Sequence, residues 1–305
     1  KDMANIIAVI WDFDKTLLDG YMQEPIFDEY GKDPAAFWRE VNDLPEKYRK
    51  EQGVRVNPDT IYLNHFINCA KKGIFPGLNN ARLKSFGRRL GFYPGIPEIF
   101  DKTRAIAYSS PEYRDFDIKV EHYIVSTGMT AIIEGSVIRK HVDGVWGCEL
   151  IEDTSGDVPV ISEIGYTIDN TTKTRAIFEI NKGANVFPEI DVNSAMPEDA
   201  RRVPFRNMIY IADGPSDVPA FSVVRGNGGA TFAIYPPHDA GAFRQVEMLR
   251  KAGRIDTYAE ADYSEGKQAY MWIAGKIEEF AARICEEQHT KLRNSTSDVP
   301  RHLDT

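Results

Sequence analysis

From Ile6 to Trp11 every residue is apolar, a run too short and too uniform for a surface helix and suited to a strand buried on both faces. It breaks into Asp12-Phe13-Asp14-Lys15-Thr16. Two later runs break the same way. Tyr123-Ile124-Val125 leads into Ser126-Thr127-Gly128, and Met208-Ile209-Tyr210-Ile211-Ala212 leads into Asp213-Gly214-Pro215-Ser216-Asp217. Strands that end in polar, turn-forming residues are where open α/β sheets place their chemistry.

Between the first two runs the pattern is helical, from about Pro25 to Leu90, with Ile61, Phe66 and Ile67 at helical spacing. Asp33-Pro34 and Asn57-Pro58 open helices, and Leu78-Asn79-Asn80 precedes a third that ends at Gly91. Pro94-Gly95-Ile96-Pro97 then punctuates the chain, Glu98 to Ala107 reads as a helix, and strand and helix alternate from there. The expected elements are Thr130 to Arg139 helical, Ile161 to Ile168 extended, Thr174 to Asn181 helical with Gly183 as its stop, and the strand before Asp213. Asp217 to Val224, Ala230 to Tyr235, Ala240 to Ala252 and Gly266 to Cys285 continue the series.

That alternation predicts an α/β fold with a doubly wound, mostly parallel, Rossmann-like sheet and an inserted α-helical cap. The expected divisions are 1–20 with 93–285 for the catalytic core, 21–92 for the cap and 286–305 for a polar tail that frays. Tyr108 to Asp117 and Asn185 to Arg206 are long for connections and read as surface excursions.

Composition narrows the functional classes. A formal charge of −9 over 305 residues argues against a nucleic-acid or anionic-membrane partner, because both need a cationic face. No apolar stretch approaches the roughly 20 residues of a membrane span, and Met3 to Ile10 lacks the cationic flank of a signal peptide. The expectation is a soluble, cytoplasmic protein. Cys69, Cys148 and Cys285 are far apart and never in a Cys-x-x-Cys pair, so buried thiols are expected in place of disulfides or a zinc site. His122, His141 and His238 have no ligand-like spacing.

Taken in order, these motifs resemble those of the haloacid dehalogenase (HAD) superfamily of phosphohydrolases, in particular its phosphoserine-phosphatase-like branch. Asp12-Phe13-Asp14-Lys15-Thr16 resembles the first motif and Ser126 the second. Lys173, at the head of Thr174-Arg175-Ala176-Ile177-Phe178, resembles the third, and Asp213 with Asp217 the fourth. Lys182 is a rival for the third. The resemblance implies Asp12 as nucleophile, Asp14 as proton carrier, and Ser126, Thr127, Lys173 and Thr16 around the phosphate. It also implies Mg2+ held by Asp12, Asp213 and the Asp14 backbone carbonyl, with Asp217 beside them. Independently of any family, converging carboxylates repel and call for a cation, and all-oxygen ligands beside a phosphate favour magnesium.

The expected activity is hydrolysis of a small phosphorylated metabolite through an aspartyl phosphate. Phosphotransfer to an alcohol and a non-catalytic phosphate-binding module are the alternatives. The branch usually carries a glutamate seven residues after its second aspartate, where this chain has Tyr21; Glu24 is the nearest substitute, and phosphoserine is a doubtful substrate. The cap aromatics Phe37, Trp38, Tyr48 and Tyr62 read as packing before pocket.

Overall fold

The structure is a computed structural model that describes residues 5–297. Its strands are β1 (Asn5–Trp11), β2 (Ile118–Met129), β3 (Gly144–Asp153), β4 (Val160–Tyr166), β5 (Met208–Ala212), β6 (Ala230–Tyr235) and β7 (Thr257–Glu260). They form one seven-stranded sheet in the order β4-β3-β2-β1-β5-β6-β7. The opening apolar run therefore lies at the centre. Ile7, Val9 and Trp11 face one core layer, while Ile6, Ala8 and Ile10 face the other. Because successive strand residues point to opposite faces, a strand covered on both sides can spare no polar position.

Register brings the polar strand ends together. Trp11 pairs with Ile124 of β2 and with Ile211 of β5, and the Asp12 amide donates to the Ile211 carbonyl at 2.9 Å. Asp12 and Asp213 thus follow directly on neighbouring strands, with Ser126 among the last residues of β2 beside them, at one edge. The chain fills one side of β1 with β2, β3 and β4 before crossing to β5, so this edge is a topological switch point.

The sheet is mostly parallel, with one exception. β4, expected as an extended segment, runs antiparallel to β3, which the sequence reading did not find, and the two form an edge hairpin. β3 was missed because Trp146-Gly147-Cys148-Glu149 has neither a continuous apolar run nor strict alternation.

The inserted segment contains α1 (Glu24–Tyr30), α2 (Pro34–Gln52), α3 (Ile61–Lys71) and α4 (Asn80–Gly87). Asp33 caps α2 by accepting the Ala35 and Ala36 amides, and Asn79 caps α4 by accepting the Arg82 amide at 2.8 Å. Phe27, Phe37, Phe66 and Phe75 form its core, with Phe37 and Phe66 4.4 Å apart between ring centres. Helix α4 lies tight against α7 (Thr130–Gly135) because glycines meet there. A Cβ at Gly87 would stand 2.0 Å from the Ile132 carbonyl oxygen, and one at Gly135 would stand 1.7 Å from that of Lys84.

The remaining helices are α5 (Glu98–Ala105), α6 (Pro111–Asp115), α8 (Lys173–Lys182), α9 (Val218–Gly226), α10 (Ala240–Lys251) and α11 (Gln268–Ser297). The chain does not fray at Glu286: α11 continues to Ser297, and Gln288 bonds Asn5 while His289 pairs with Glu112. Amphipathic periodicity fades there, but side-chain pairing replaces it. The rest of the expected tail, from residue 298, lies outside the described residues, as do residues 1–4. The 185–206 excursion is anchored, with Val203 buried and its carbonyl accepting the Asn181 side chain at 2.7 Å.

His122 is a core histidine. The Trp11 indole N–H donates to its Nδ1 at 3.0 Å, so its proton sits on Nε2, facing the Thr103 hydroxyl at 2.9 Å, which in turn donates to the Ile99 carbonyl. Burial, with Arg104 nearby, holds its pKa well below the usual histidine value. The three cysteines are buried and unpaired with one another.

Candidate active site

The first carboxylate beyond β1 is nearly buried and held from two sides. Asp12 Oδ1 accepts the Lys173 ammonium at 2.8 Å, and Oδ2 accepts the Thr16 hydroxyl at 3.1 Å. Thr16 was expected near the phosphate. It is fully buried, its hydroxyl donating to Asp12 and its carbonyl accepting the Tyr263 hydroxyl.

Lys173 begins α8, and its ammonium is also 2.7 Å from Asp217 Oδ1. The turn before it is tightly built: Asp169 accepts the Thr171 and Thr172 amides and the Thr172 hydroxyl, and the Asp169 carbonyl accepts the Lys173 amide. This turn carries contacts to the inserted segment as well. Asn57 donates to Asp169 at 2.8 Å, and the Asn170 amide donates to Asp59 at 3.1 Å. Lys182 lies at the far end of α8, donating to the Val192 and Ser194 carbonyls. Of the two lysines the sequence left open, Lys173 is the one that meets Asp12.

Asp12, Asp213 and Asp217 have carboxylate oxygens within 4.8 Å of one another. At that separation two carboxylates repel by about 3.5 kcal/mol at an effective dielectric of 20. Counted formally, three carboxylates against the Lys173 ammonium leave two negative charges over, with Lys15 acting on Asp213 as a further, weaker positive charge. Burial and the neighbouring carboxylates push Asp213 well above the usual range, and burial pushes Asp12 up while Lys173 draws it back. Burial also opposes charge on Lys173, but Asp12 and Asp217 outweigh it and hold the ammonium well above the usual lysine value. The donor set, all carboxylate oxygen with an excess of two charges, fits a hard divalent cation. Asp217 is further fixed by the Tyr210 hydroxyl at 2.7 Å, a residue that a strand-core pattern gives no reason to single out.

The Asp14 carboxylate is not in that cluster. Its Oδ1 accepts the Met22 amide at 2.9 Å, and burial with Asp12 nearby raises its pKa to about 7. Lys15, in a left-handed conformation at φ 58°, reaches back over the Tyr21 ring at 4.7 Å. Tyr21 packs on Trp38, and Glu24 starts α1, its pKa raised by burial and Asp28. On the other side, buried Ser126 accepts the Gly128 amide at 2.9 Å, leaving its hydroxyl proton to donate. The Thr127 carbonyl accepts the Tyr62 hydroxyl at 2.7 Å. Tyr62 therefore both packs in the inserted segment and touches the site, which helical spacing alone does not reveal.

A search of family models finds no match. A Borreliella burgdorferi protein described as uncharacterized is 37% identical over 291 residues, covering 91% of this chain and 98% of that one, and the chain belongs to one family with it. A HAD family hydrolase of Salmonella enterica subsp. enterica serovar Typhi superimposes with a TM-score of 0.51 at 15% identity, covering 84% of this chain and 67% of the other. The chain has the HAD fold. In the HAD fold as it stands here, the first, second and fourth sequence motifs lie at the ends of β1, β2 and β5, Lys173 reaches Asp12 from the head of α8, and the segment between the first two motifs supplies α1 to α4. Among the described residues no helix is long and apolar enough to cross a membrane.

Proposed function

We propose that this protein is a magnesium-dependent phosphatase that hydrolyses a small-molecule phosphomonoester through an aspartyl phosphate on Asp12. The observation that carries the reading is the Lys173 ammonium fixed between Asp12 and Asp217 within a cluster of three carboxylates. An exposed ion pair would contribute little, but a buried one with an excess of carboxylates is a costly arrangement, suited to a site that gathers a cation beside the nucleophile.

The carboxylates of Asp12, Asp213 and Asp217, with the Asp14 carbonyl, would hold Mg2+, whose charge would neutralise phosphoryl oxygens. Asp12 Oδ attacks phosphorus as the ester P–O bond breaks, and Asp14 gives its proton to the leaving alkoxide. A water molecule then attacks the aspartyl phosphate, Asp14 takes the water proton, and phosphate leaves with Asp12 restored. Ser126 donates its hydroxyl to a phosphoryl oxygen, and Lys173 adds positive charge where negative charge gathers. Thr16 is a positioning residue that holds the second oxygen of Asp12. The segment 21–92 acts as the cap over core segments 1–20 and 93–285.

The acidic surface and the cap beside the site suit a small metabolite better than nucleic acid or a membrane, and a cytoplasmic location accords with three reduced, buried cysteines. The test is phosphate release from a panel of phosphomonoesters, with Mg2+ and with chelator, for the wild type and Asp12→Asn. Metal-dependent release that the variant loses supports the reading; release retained by Asp12→Asn overturns it.

A further inference from the structure

Just beyond Asp12 and Asp14 the chain fixes a cation that the proposed chemistry does not use. Lys15 stands in the left-handed region at φ 58°, which residues with a side chain rarely adopt, and the turn around it leaves little choice. Its amide donates to the Gly20 carbonyl at 3.1 Å, Asp14 pairs with Leu18 in an isolated bridge, and the Thr16 and Leu17 amides both return to the Phe13 carbonyl. At the far end of the side chain the ammonium lies 4.7 Å from the centre of the Tyr21 ring. Tyr21 packs on Trp38, which is itself set among Phe27, Phe37 and Tyr62 of the inserted segment. Lys15 is thus held at both ends.

What holds the ammonium does not neutralise it. A ring attracts a cation through its face and brings no negative charge. Among the described residues Lys15 forms no ion pair, in contrast to Lys173. Burial opposes its charge, but Tyr21, Asp213 and Asp14 outweigh burial and hold its pKa above the usual lysine value. The next acidic residues along the chain are engaged elsewhere, Asp19 acting on Tyr93 and Asp28 on Glu24. In the proposed reaction Asp213 holds the metal and Asp14 serves the leaving oxygen, so neither is left to pair with Lys15. Lys173 lies on the nucleophile's side, between Asp12 and Asp217, whereas Lys15 adjoins Asp14, on the side of the leaving alcohol. Lys15 is only half-buried and Tyr21 is 39% exposed, so the cation is open to an incoming group.

We propose that Lys15 is a specificity-determining residue that receives a second anionic group, carboxylate or phosphate, on the alcohol half of the ester, and that it disfavours an alcohol carrying an amine. The placement of the ester rests on the phosphatase reading. The test compares esters of one carbon length: 2-phosphoglycolate, ethylene glycol bisphosphate, ethyl phosphate and O-phosphoethanolamine. At least one of the two esters with a second anion should exceed ethyl phosphate in kcat/KM by about tenfold or more, with the gain in KM, and O-phosphoethanolamine should fall below it. The better of the two identifies the group. Lys15→Met should cut the preference about tenfold, Lys15→Arg should keep most of it, and Lys15→Glu should move it to O-phosphoethanolamine. Calorimetry on Asp12→Asn in Mg2+, where the esters bind without turnover, should give the same ranking, lost when Lys15→Met is added.

An equal loss of kcat on every ester in Lys15→Met places the ammonium on the phosphoryl group and overturns the proposal. A wild-type preference for ethyl phosphate or the amine overturns it too, as does a ranking that Lys15→Met leaves unchanged. If the wild type releases phosphate from no ester while calorimetry gives the ranking, the proposed function fails and Lys15 keeps its role. Release without the ranking has the opposite meaning, and binding of none of the esters overturns both.

Discussion

Replacing Lys173 by Met keeps most of the side chain's volume and removes the ammonium that pairs with Asp12 and Asp217. At an effective dielectric of 20 each contact, at 2.8 and 2.7 Å, represents about 6 kcal/mol of gross attraction. Desolvation of the lysine and repulsion among the carboxylates cancel much of this. The net cost of leaving buried charge unpaired is about 3–5 kcal/mol, a large share of a typical domain's stability. Urea unfolding at pH 7.5 in chelator, followed by far-ultraviolet circular dichroism, reads that loss. Lys182→Met is the control: it forfeits two hydrogen bonds to loop carbonyls and should cost less than about 2 kcal/mol. Adding Asp217→Asn to Lys173→Met should recover about 1–3 kcal/mol, since it removes one of the stranded charges. A Lys173→Met protein within about 1 kcal/mol of wild type, or a Lys182→Met loss as large, would refute the reasoning.

Asp12→Asn should leave the fold intact and lower phosphate release by about a thousandfold or more, and ordinary turnover in that variant would remove Asp12 from the chemistry. Mg2+ should raise the thermal midpoint of the wild type in a concentration-dependent way, and Asp213→Asn should blunt the response; equal responses would separate the cluster from metal binding. His122 is held neutral in the fold, with its pKa below that of the unfolded chain. Its contribution is intact above about pH 6.5 and falls by about 1.4 kcal/mol for each pH unit below, down to the folded pKa. His122→Gln should flatten the acid limb of the stability profile by up to one proton, and an unchanged slope would contradict the burial argument. Gly135→Ala, which drives a Cβ into the Lys84 backbone, should cost about 2 kcal/mol or more, read as a lowered urea midpoint.

What could be read in the sequence was whatever periodicity and strand ends encode. β1, β5 and the Tyr123–Val125 stretch of β2 announced themselves because they are unbroken apolar runs, and Asp12, Asp213 and Ser126 were singled out because they sit where those runs stop. β3 carries mixed residues one strand in from the sheet edge, and so left no comparable trace. The choice between Lys173 and Lys182 needed three dimensions, since both flank the same helix and only its direction relative to β1 decides which one meets Asp12. The bond from the Thr16 hydroxyl back to Asp12 was not foreseen, because a hydroxyl four residues on is as well placed to fold back as to point outward. Tyr62, Tyr210 and Met22 reach the site through tertiary contacts that their local patterns do not report.

The turn at 169–172 gives the site two unequal halves. Asp12 follows directly on the central strand, whose last residue is paired on both flanks, and its own amide is bonded to the Ile211 carbonyl, so it shifts little unless the sheet itself yields. Lys173 hangs from a turn whose outer face is tied to Asn57 and Asp59, residues of a peripheral helical segment. Local opening concentrates in such peripheral elements. A disturbance of the 53–60 loop, far along the chain from either residue, therefore reaches the ammonium before the carboxylate it partners, and substitutions there act on the alignment of the site.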